Sequence, residues 1–289
     1  MEPTLELPPL DVVALLKSHH INPKKGLGQN FLLDPVALRR IITSAEIPEN
    51  STVLEIGAGL GSLTRYLAQS AQKVVAVELD AELFPILQQV LADDQNVTLV
   101  KGDILKLQPA VLVNQEGYLV VANIPYYITS NLIRHLLEAS IKPKRLVLTV
   151  QREVAERICA KPGDLNLLAL SVQVYGLPKL AGHIPAGAFY PSPKVDSTIV
   201  RVDLYPQPLI PAEALDQFFR LAKAGYSQKR KTMRNALSGG MGWTTSRVVE
   251  LLQTAGIDPQ RRAETISLAE WSDLTALVRD INPAAAKLE

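Results

Sequence analysis

Asn123-Ile124-Pro125-Tyr126 follows the apolar run Tyr118 to Ala122, where a buried strand opens into a loop. The chemistry these residue types suit is methylation of an aromatic amine. The exocyclic amine of adenine is a poor nucleophile, because its lone pair is delocalised into the ring, so an enzyme that alkylates it must hold both amine hydrogens with acceptors. Asn123 and the Ile124 carbonyl are two such acceptors. Pro125 restricts Ile124 to extended geometry and so fixes where that carbonyl points, while Tyr126 offers a flat face on which a base can stack. The same four residues also suit a strand-ending turn with an aromatic plug. A cofactor site elsewhere in the chain is needed to separate the two readings.

Such a site lies upstream. Thr52 to Ile56 is a short buried strand pattern, Gly57-Ala58-Gly59-Leu60-Gly61 follows directly, and Ser62 to Ala71 continues as a helix. Glycines let the backbone approach a ligand closely and accept positive φ. The dinucleotide fingerprint has two residues between its second and third glycines, whereas here Leu60 alone separates Gly59 from Gly61. A cofactor without phosphates fits better. The next strand, Lys73 to Val77, ends at Glu78, which is placed to accept both hydroxyls of a ribose. A third, Val97 to Val100, leads into Lys101-Gly102-Asp103, and Asp103 is placed to accept the adenine amine of a cofactor. Gly57, Glu78, Asp103 and Asn123 thus stand at four successive strand ends, a constellation that a purely structural account must treat as coincidence.

The elements that must position these residues alternate. Asp34 to Ser44 reads as a helix, and strands and helices then follow one another through Gln151 and the helix Arg152 to Ala160. Alternation predicts an α/β fold with a mainly parallel sheet. Leu165 to Gly176 reads as a further helix or apolar run, and Ser197 to Leu204 as a later strand. Phe189 precedes that strand in a loop stiffened by Pro191 and Pro193, where it can serve as a preset wall for a base or as a plug beneath the loop. Pro206, Pro208 and Pro211 mark the expected domain boundary. Beyond them Leu215, Phe218, Phe219, Ala222 and Tyr226 recur at helical spacing, Gly239-Gly240 reads as a chain break, and two further amphipathic runs complete a small helical bundle. Pro283 to Glu289 is expected to fray.

Taken together, these pieces resemble the bacterial ribosomal RNA small-subunit adenine dimethyltransferases over nearly the whole chain. The resemblance rests on Leu27-Gly28-Gln29-Asn30-Phe31-Leu32, the glycine turn, Glu78, Gly102-Asp103, the Asn123 motif and Phe189-Tyr190-Pro191-Ser192-Pro193-Lys194-Val195-Asp196-Ser197. Ile124 stands where many relatives have Leu, which leaves a backbone-carbonyl role intact. The resemblance implies a Rossmann-like S-adenosylmethionine-dependent methyltransferase sheet with a small C-terminal helical domain. It divides the chain into an N-terminal extension (1–23), an S-adenosylmethionine-binding catalytic domain (24–208) and a helical RNA-docking domain (209–289). It also implies that Asn30, Leu32, Gly57, Glu78, Asp103 and Asn123 contact S-adenosylmethionine, while Asn123, the Ile124 carbonyl, Tyr126 and Phe189 address the target base.

The implied reaction is dimethylation of two adjacent adenosines in the 3′-terminal hairpin of 16S ribosomal RNA within the immature small subunit, with a part in subunit biogenesis. The amine would attack the sulfonium methyl in line, with the base extruded between Tyr126 and Phe189; stacking worth roughly 1–3 kcal/mol per base offsets the cost of extrusion. Two rivals share most of the motifs: a large-subunit RNA adenine methyltransferase of the antibiotic-resistance type, and a ribosome-assembly factor whose catalysis is incidental. DNA adenine methyltransferases commonly carry an acid at the Asn123 position.

Composition sets bounds. A chain of 289 residues accommodates one sizeable core and a smaller unit. The single cysteine, Cys159, excludes an internal disulfide and suits a reducing compartment. His19, His20, His135 and His183 lack metal-ligand spacing, so no metal is expected. With no apolar run of membrane-spanning length and no basic-then-apolar leader, a cytoplasmic protein is expected, with a monomer as the default. A net charge of +1 does not announce a nucleic-acid binder, so RNA contact must come from clusters. The densest runs from Lys223 to Arg234 and includes Lys229, Arg230 and Lys231 with no acid among them and Tyr226 within reach; it reads as a phosphate-binding strip.

Overall fold

The computed structural model describes residues 7–281. The fraying expected of Pro283 to Glu289 lies outside the described residues. The chain divides into two units: one runs through Ala155 and takes in Pro178–Leu204, and the other comprises Glu156–Leu177 and the chain from Tyr205 onward.

The first unit is built on a seven-stranded sheet. Its strands are β2 (Thr52–Ile56), β3 (Lys73–Glu78), β4 (Val97–Lys101), β5 (Leu119–Asn123), β6 (Arg145–Gln151), β7 (Gly176–Ile184) and β9 (Ser197–Leu204), in the spatial order β4-β3-β2-β5-β6-β9-β7. β4, β3, β2, β5 and β6 are parallel neighbours, and β9 runs antiparallel to β6. All five residues of β2 are buried, as are Leu119 to Ala122 of β5, because a parallel sheet is covered on both faces and its central strands are continuous apolar runs. Strand order reverses between β2 and β5, and such a reversal opens a crevice at the carboxyl ends of the strands. The expected α/β fold with a mainly parallel sheet is therefore the one observed.

The helices of this unit are α1 (Val12–Ser18), α2 (Pro35–Ala45), α3 (Ser62–Ser70), α4 (Phe84–Val90), α5 (Pro109–Val113) and α6 (Thr129–Leu137); α7 (Arg152–Ile158) begins in it. α2 starts sharply because the Asp34 carboxylate accepts from the Val36 amide and Pro35 presets the first turn. One core cluster joins α2 and α3 to the sheet through Leu38, Ile41, Tyr66, Leu67, Val53 and Val121. A second cluster gives the N-terminal segment a structural role that its sequence does not announce. Val12 and Leu16 of α1 are buried with Phe31, Leu60, Leu83 and Ile86, behind the glycine turn. A separate two-stranded pairing joins β1 (Phe31–Leu32) to β8 (Phe189–Tyr190).

The second unit contains α8 (Leu167–Gln173), α9 (Leu215–Gly225), α10 (Met233–Met241), α11 (Thr245–Thr254) and α12 (Leu268–Ile281). Residues 156–177 belong to it, although the sequence places them with the sheet. The Glu264 carbonyl accepts from the amides of Gly163 (2.9 Å) and Leu165 (3.2 Å), a link across about a hundred residues that contiguity does not reveal. The run Leu165 to Gly176 resolves as a helix whose N-cap is Asn166. Gly239-Gly240 does not break the chain: both lie inside α10, which ends at Gly242 with φ 67°. A Cβ on Gly240 would come within 2.6 Å of the Ala224 side chain, so this glycine is the point at which α10 crosses α9.

Candidate active site

The strand ends and the loops after them enclose one cavity in the first unit. Asn30, Leu32, Gly57, Glu78, Asp103, Asn123, Ile124 and Tyr126 all line it. The turn after β2 is glycine-rich for a steric reason: Gly57, Gly59 and Gly61 have φ of 77°, 60° and 89°, and Gly57 donates to the Val77 carbonyl across to β3 at 2.9 Å. The turn is in turn held by Glu78, whose Oε2 accepts from the Gly59 amide and whose Oε1 accepts from the Asp80 amide, each at 2.7 Å. Glu78 is buried, and burial raises its pKa against those amide bonds. Each carboxylate oxygen keeps a second lone pair, which is what a ribose diol requires. Asp103 is partly exposed; its Oδ1 accepts from the Leu105 amide at 3.1 Å.

Opposite the glycine turn, the segment 27–32 forms the other wall. The Asn30 side chain donates to the Gly28 carbonyl at 3.1 Å, and the Asn30 carbonyl accepts from Asn123 Nδ2 at 3.1 Å. Asn123 is therefore oriented by the N-terminal motif. Tyr126 sits in a short 3-10 turn, and its hydroxyl shares a 2.8 Å hydrogen bond with Ser197 Oγ at the start of β9, which anchors the ring. The Ile124 side chain is buried, and its amide donates to the Thr149 carbonyl of β6 at 3.3 Å, so the residue's backbone is held by the sheet.

Of the two placements the sequence leaves open for Phe189, wall for a base or plug beneath its loop, the structure has the buried one. It is 4% exposed, belongs to the main core cluster and is absent from the cavity lining. Strand pairing sets it opposite Leu32, which does line the cavity. Its ring packs in the core cluster that also holds Leu32, Leu38 and Ile184.

Three residues of this region have roles that the sequence does not assign. Glu55, within β2, lines the cavity at 1% exposure, and its Oε2 has no hydrogen-bond partner. Burial pushes its pKa up to about 8, with the nearby Glu78 adding to the rise and Thr64 opposing it. The signal that could have found it is an acid inside an otherwise apolar strand. Asp80 and Gln29 form the second group: Gln29 Nε2 donates to Asp80 Oδ2 at 2.7 Å. Asp80 looks like an ordinary surface acid in the sequence, and Gln29 stands out only as a member of the 27–32 motif.

The second unit carries the basic strip. Lys223, Lys229, Arg230 and Lys231 are exposed; Arg234 is half-buried and donates to Asn235 Oδ1 at 3.2 Å. Tyr226 is not open to a base. Its hydroxyl donates to the Ala263 carbonyl at 2.9 Å and its ring stacks on Trp271 at 6.2 Å, which makes it part of the unit's core.

The cavity fits S-adenosylmethionine on its own donor set. An acid at the end of β3 suits a ribose, Asp103 suits an adenine amine, leucines and isoleucines supply apolar walls, and the unpartnered oxygen of the Glu55 carboxyl suits a polar amino acid head. Among the described residues there is no cluster of His, Cys, Asp and Glu that could hold a metal ion, and no helix is long and apolar enough to cross a membrane.

Comparison with known proteins agrees with this arrangement. The chain is 44% identical over 261 residues to ribosomal RNA small subunit methyltransferase A of Dehalococcoides mccartyi strain CBDB1, covering 90% of each. It is 42% identical over 274 residues to the protein of that name from Moorella thermoacetica, covering 91% of this chain and 95% of the relative. Among solved structures, a dimethyladenosine transferase from Plasmodium falciparum matches with TM-score 0.76 and 25% identity over 88% of this chain and 98% of that one. The 23S rRNA methyltransferase ErmE matches with TM-score 0.70 and 28% identity over 86% of this chain and 98% of that one. The sheet is accordingly the Rossmann-like sheet of S-adenosylmethionine-dependent methyltransferases. The family model described as ribosomal RNA adenine dimethylase matches residues 20–280, and the chain belongs to that family.

Proposed function

We propose that this protein dimethylates the N6 amines of two adjacent adenosines in the 3′-terminal hairpin of 16S ribosomal RNA, in the immature small subunit, using S-adenosylmethionine. The observation that carries this reading is that Asn123, Ile124 and Tyr126 open on the same cavity as Glu78 and Asp103. A base-addressing set and a cofactor-addressing set share one space. The relatives named for the small subunit, at 38–44% identity, favour that substrate over the large-subunit RNA in the name of the 28%-identical structural neighbour.

Bound S-adenosylmethionine supplies an electrophilic methyl on a sulfonium centre. Glu78 would hold its ribose, Asp103 its adenine amine, Gly57 would give room for close approach, and Asn30 and Leu32 would close over it. The protein's own part in the reaction is orientation. Asn123 Nδ2 is committed to the Asn30 carbonyl, so Oδ1 is the oxygen left to accept an amine hydrogen. The Ile124 carbonyl accepts the second. With both hydrogens held, the nitrogen lone pair leaves the ring plane, an effect of preorganisation rather than of a strong base. Tyr126, anchored through Ser197, presents the stacking face. Phe189 supports Leu32 from behind.

In the second unit Lys223, Lys229, Arg230, Lys231 and Arg234 would bind RNA phosphates, which makes the helices after residue 208 an RNA-docking domain. The protein works as a cytoplasmic monomer without a metal. Labelled S-adenosylmethionine offered with unmethylated small subunits, naked small-subunit RNA or large-subunit RNA tests the substrate. Label in small-subunit RNA is expected; label confined to large-subunit RNA would replace this reading with the resistance-type one.

A further inference from the structure

Asp80 does not line the cavity, yet each of its polar groups is spent on a residue that does or on the loop that leads there. Oδ1 accepts from Lys24 Nζ at 2.8 Å and from the Glu82 amide at 3.0 Å. Oδ2 accepts from Gln29 Nε2 at 2.7 Å. The Asp80 amide donates to Glu78 Oε1 at 2.7 Å. Gln29 closes the ring, because its Oε1 accepts from the Lys24 amide at 2.7 Å. A carboxylate 4% exposed therefore fixes both ends of a loop that starts more than fifty residues earlier in the chain.

We infer that Asp80 is a positioning residue that latches the segment 24–32 across the cofactor cavity and sets Glu78 at the same time. The far end of that segment is held independently, by the β1–β8 pairing at Phe31 and Leu32. Its near end has the Asp80 ring. Three of the bonds end on the carboxylate itself, two of them from the segment 24–32, and charge-assisted bonds are the stronger kind. Burial alone would raise the pKa of Asp80, but Lys24, the Glu82 amide and Gln29 together hold it below the usual carboxylate value, so the latch stays ionised. Loosening it frees the near end of the wall, Lys24 to Gln29, and slackens the turn whose residue-80 backbone amide orients Glu78. Asn30 adjoins the β1–β8 pairing, which the latch does not touch, so its carbonyl keeps its bond to Asn123 and the chemistry there is left in place. Loss of Asp80 is thus a cofactor-affinity defect more than a turnover defect.

The inference rests on S-adenosylmethionine being the ligand of the cavity, and the test separates the two. Binding of S-adenosylmethionine by the wild-type protein and by Asp80→Asn is measured by calorimetry, together with tryptic cleavage after Lys24 and Lys25 in saturating ligand. Loss of one charged acceptor is expected to raise the Kd about tenfold or more, with faster cleavage and kcat at saturating S-adenosylmethionine within about threefold of wild type. The paired exchange Gln29→Glu with Asp80→Asn swaps donor and acceptor between the two side chains and is expected to recover most of the affinity, which a general loss of stability would not do. Should Asp80→Asn fail to fold, Lys24→Met removes one arm from a side chain that is one-third exposed, and the same rise in Kd is expected, with faster cleavage at the remaining site after Lys25. Unchanged affinity in the single variants, or no recovery in the paired exchange, overturns the latch. A wild-type protein that binds no S-adenosylmethionine overturns the methyltransferase reading beneath it.

Discussion

Asn123 and Asn30, 93 residues apart in the chain, meet through one hydrogen bond in which the Asn123 side-chain amide donates to the Asn30 carbonyl at 3.1 Å. A carbonyl only accepts, so this bond decides which end of the Asn123 amide faces away from it. The N-terminal motif thereby sets the polarity of a group at the end of β5. Two motifs that look independent in the sequence form one acceptor site.

Asn123→Ala removes that acceptor and leaves the ribose and adenine partners of the cofactor intact. Loss of one preorganised polar group at a reacting centre costs on the order of 10²–10³ in kcat. The expected result is a kcat lower by that factor, with the Kd for S-adenosylmethionine changed only a few-fold. Parallel losses in both would make Asn123 a cofactor anchor instead.

The buried Glu55 gives the ligand-free protein a pH dependence with a definite sign. Its pKa in the folded state, about 8, lies above the unfolded value of 4.5, so the folded state holds a proton that the unfolded state releases. Its contribution to stability is therefore full below pH 4.5 and falls as pH rises through 8. Glu55→Gln keeps the shape and removes the titration, and the unfolding free energy of the variant should exceed that of wild type at pH 8 by on the order of 3 kcal/mol. Chemical denaturation of both proteins between pH 6 and 8 measures it; equal slopes would refute the assignment.

Phe189 is a core residue in this structure, and its truncation should read as one. Phe189→Ala is expected to destabilise the first unit by about 3–5 kcal/mol, the usual cost of emptying a buried aromatic site. A denaturation curve shifted by that amount supports a supporting role behind Leu32. A variant of wild-type stability that has lost only RNA turnover would restore Phe189 to the wall of the base pocket.

Much of this site is legible in the sequence because parallel strands buried on both faces are written as short apolar runs. β2, β3 and β5 can be read from their runs, and the chemistry falls at their ends, at Gly57, Glu78 and Asn123. Less legible is whatever depends on residues far apart in the chain. The β1–β8 pairing involves two residues on each side and about 160 residues between them, so no local pattern marks it. Gly240 has the composition of a break but serves a helix crossing, which only the neighbouring helix reveals. Asp80 resembles a solvated acid until Lys24 and Gln29 are seen to reach it. Glu55 is hidden by the apolar run around it.

The basic strip of the second unit is testable through counterion release. Replacing Lys229, Arg230 and Lys231 together with Gln should reduce the slope of log affinity for small-subunit RNA against log salt by roughly 2–3, if each contacts one phosphate. Filter binding across a salt series measures the slope, and calorimetry should find the affinity for S-adenosylmethionine unaltered. An unchanged slope would leave the strip a solvated surface.

Every role assigned above depends on this cavity making dimethyladenosine in ribosomal RNA. The most direct measurement is nucleoside mass spectrometry of unmethylated small subunits after incubation with the protein and S-adenosylmethionine. N6,N6-dimethyladenosine is expected with the wild-type protein, and its near absence with Asn123→Ala. Unmodified adenosine with a wild-type protein that binds S-adenosylmethionine, or a methyl group on any other base, would contradict it.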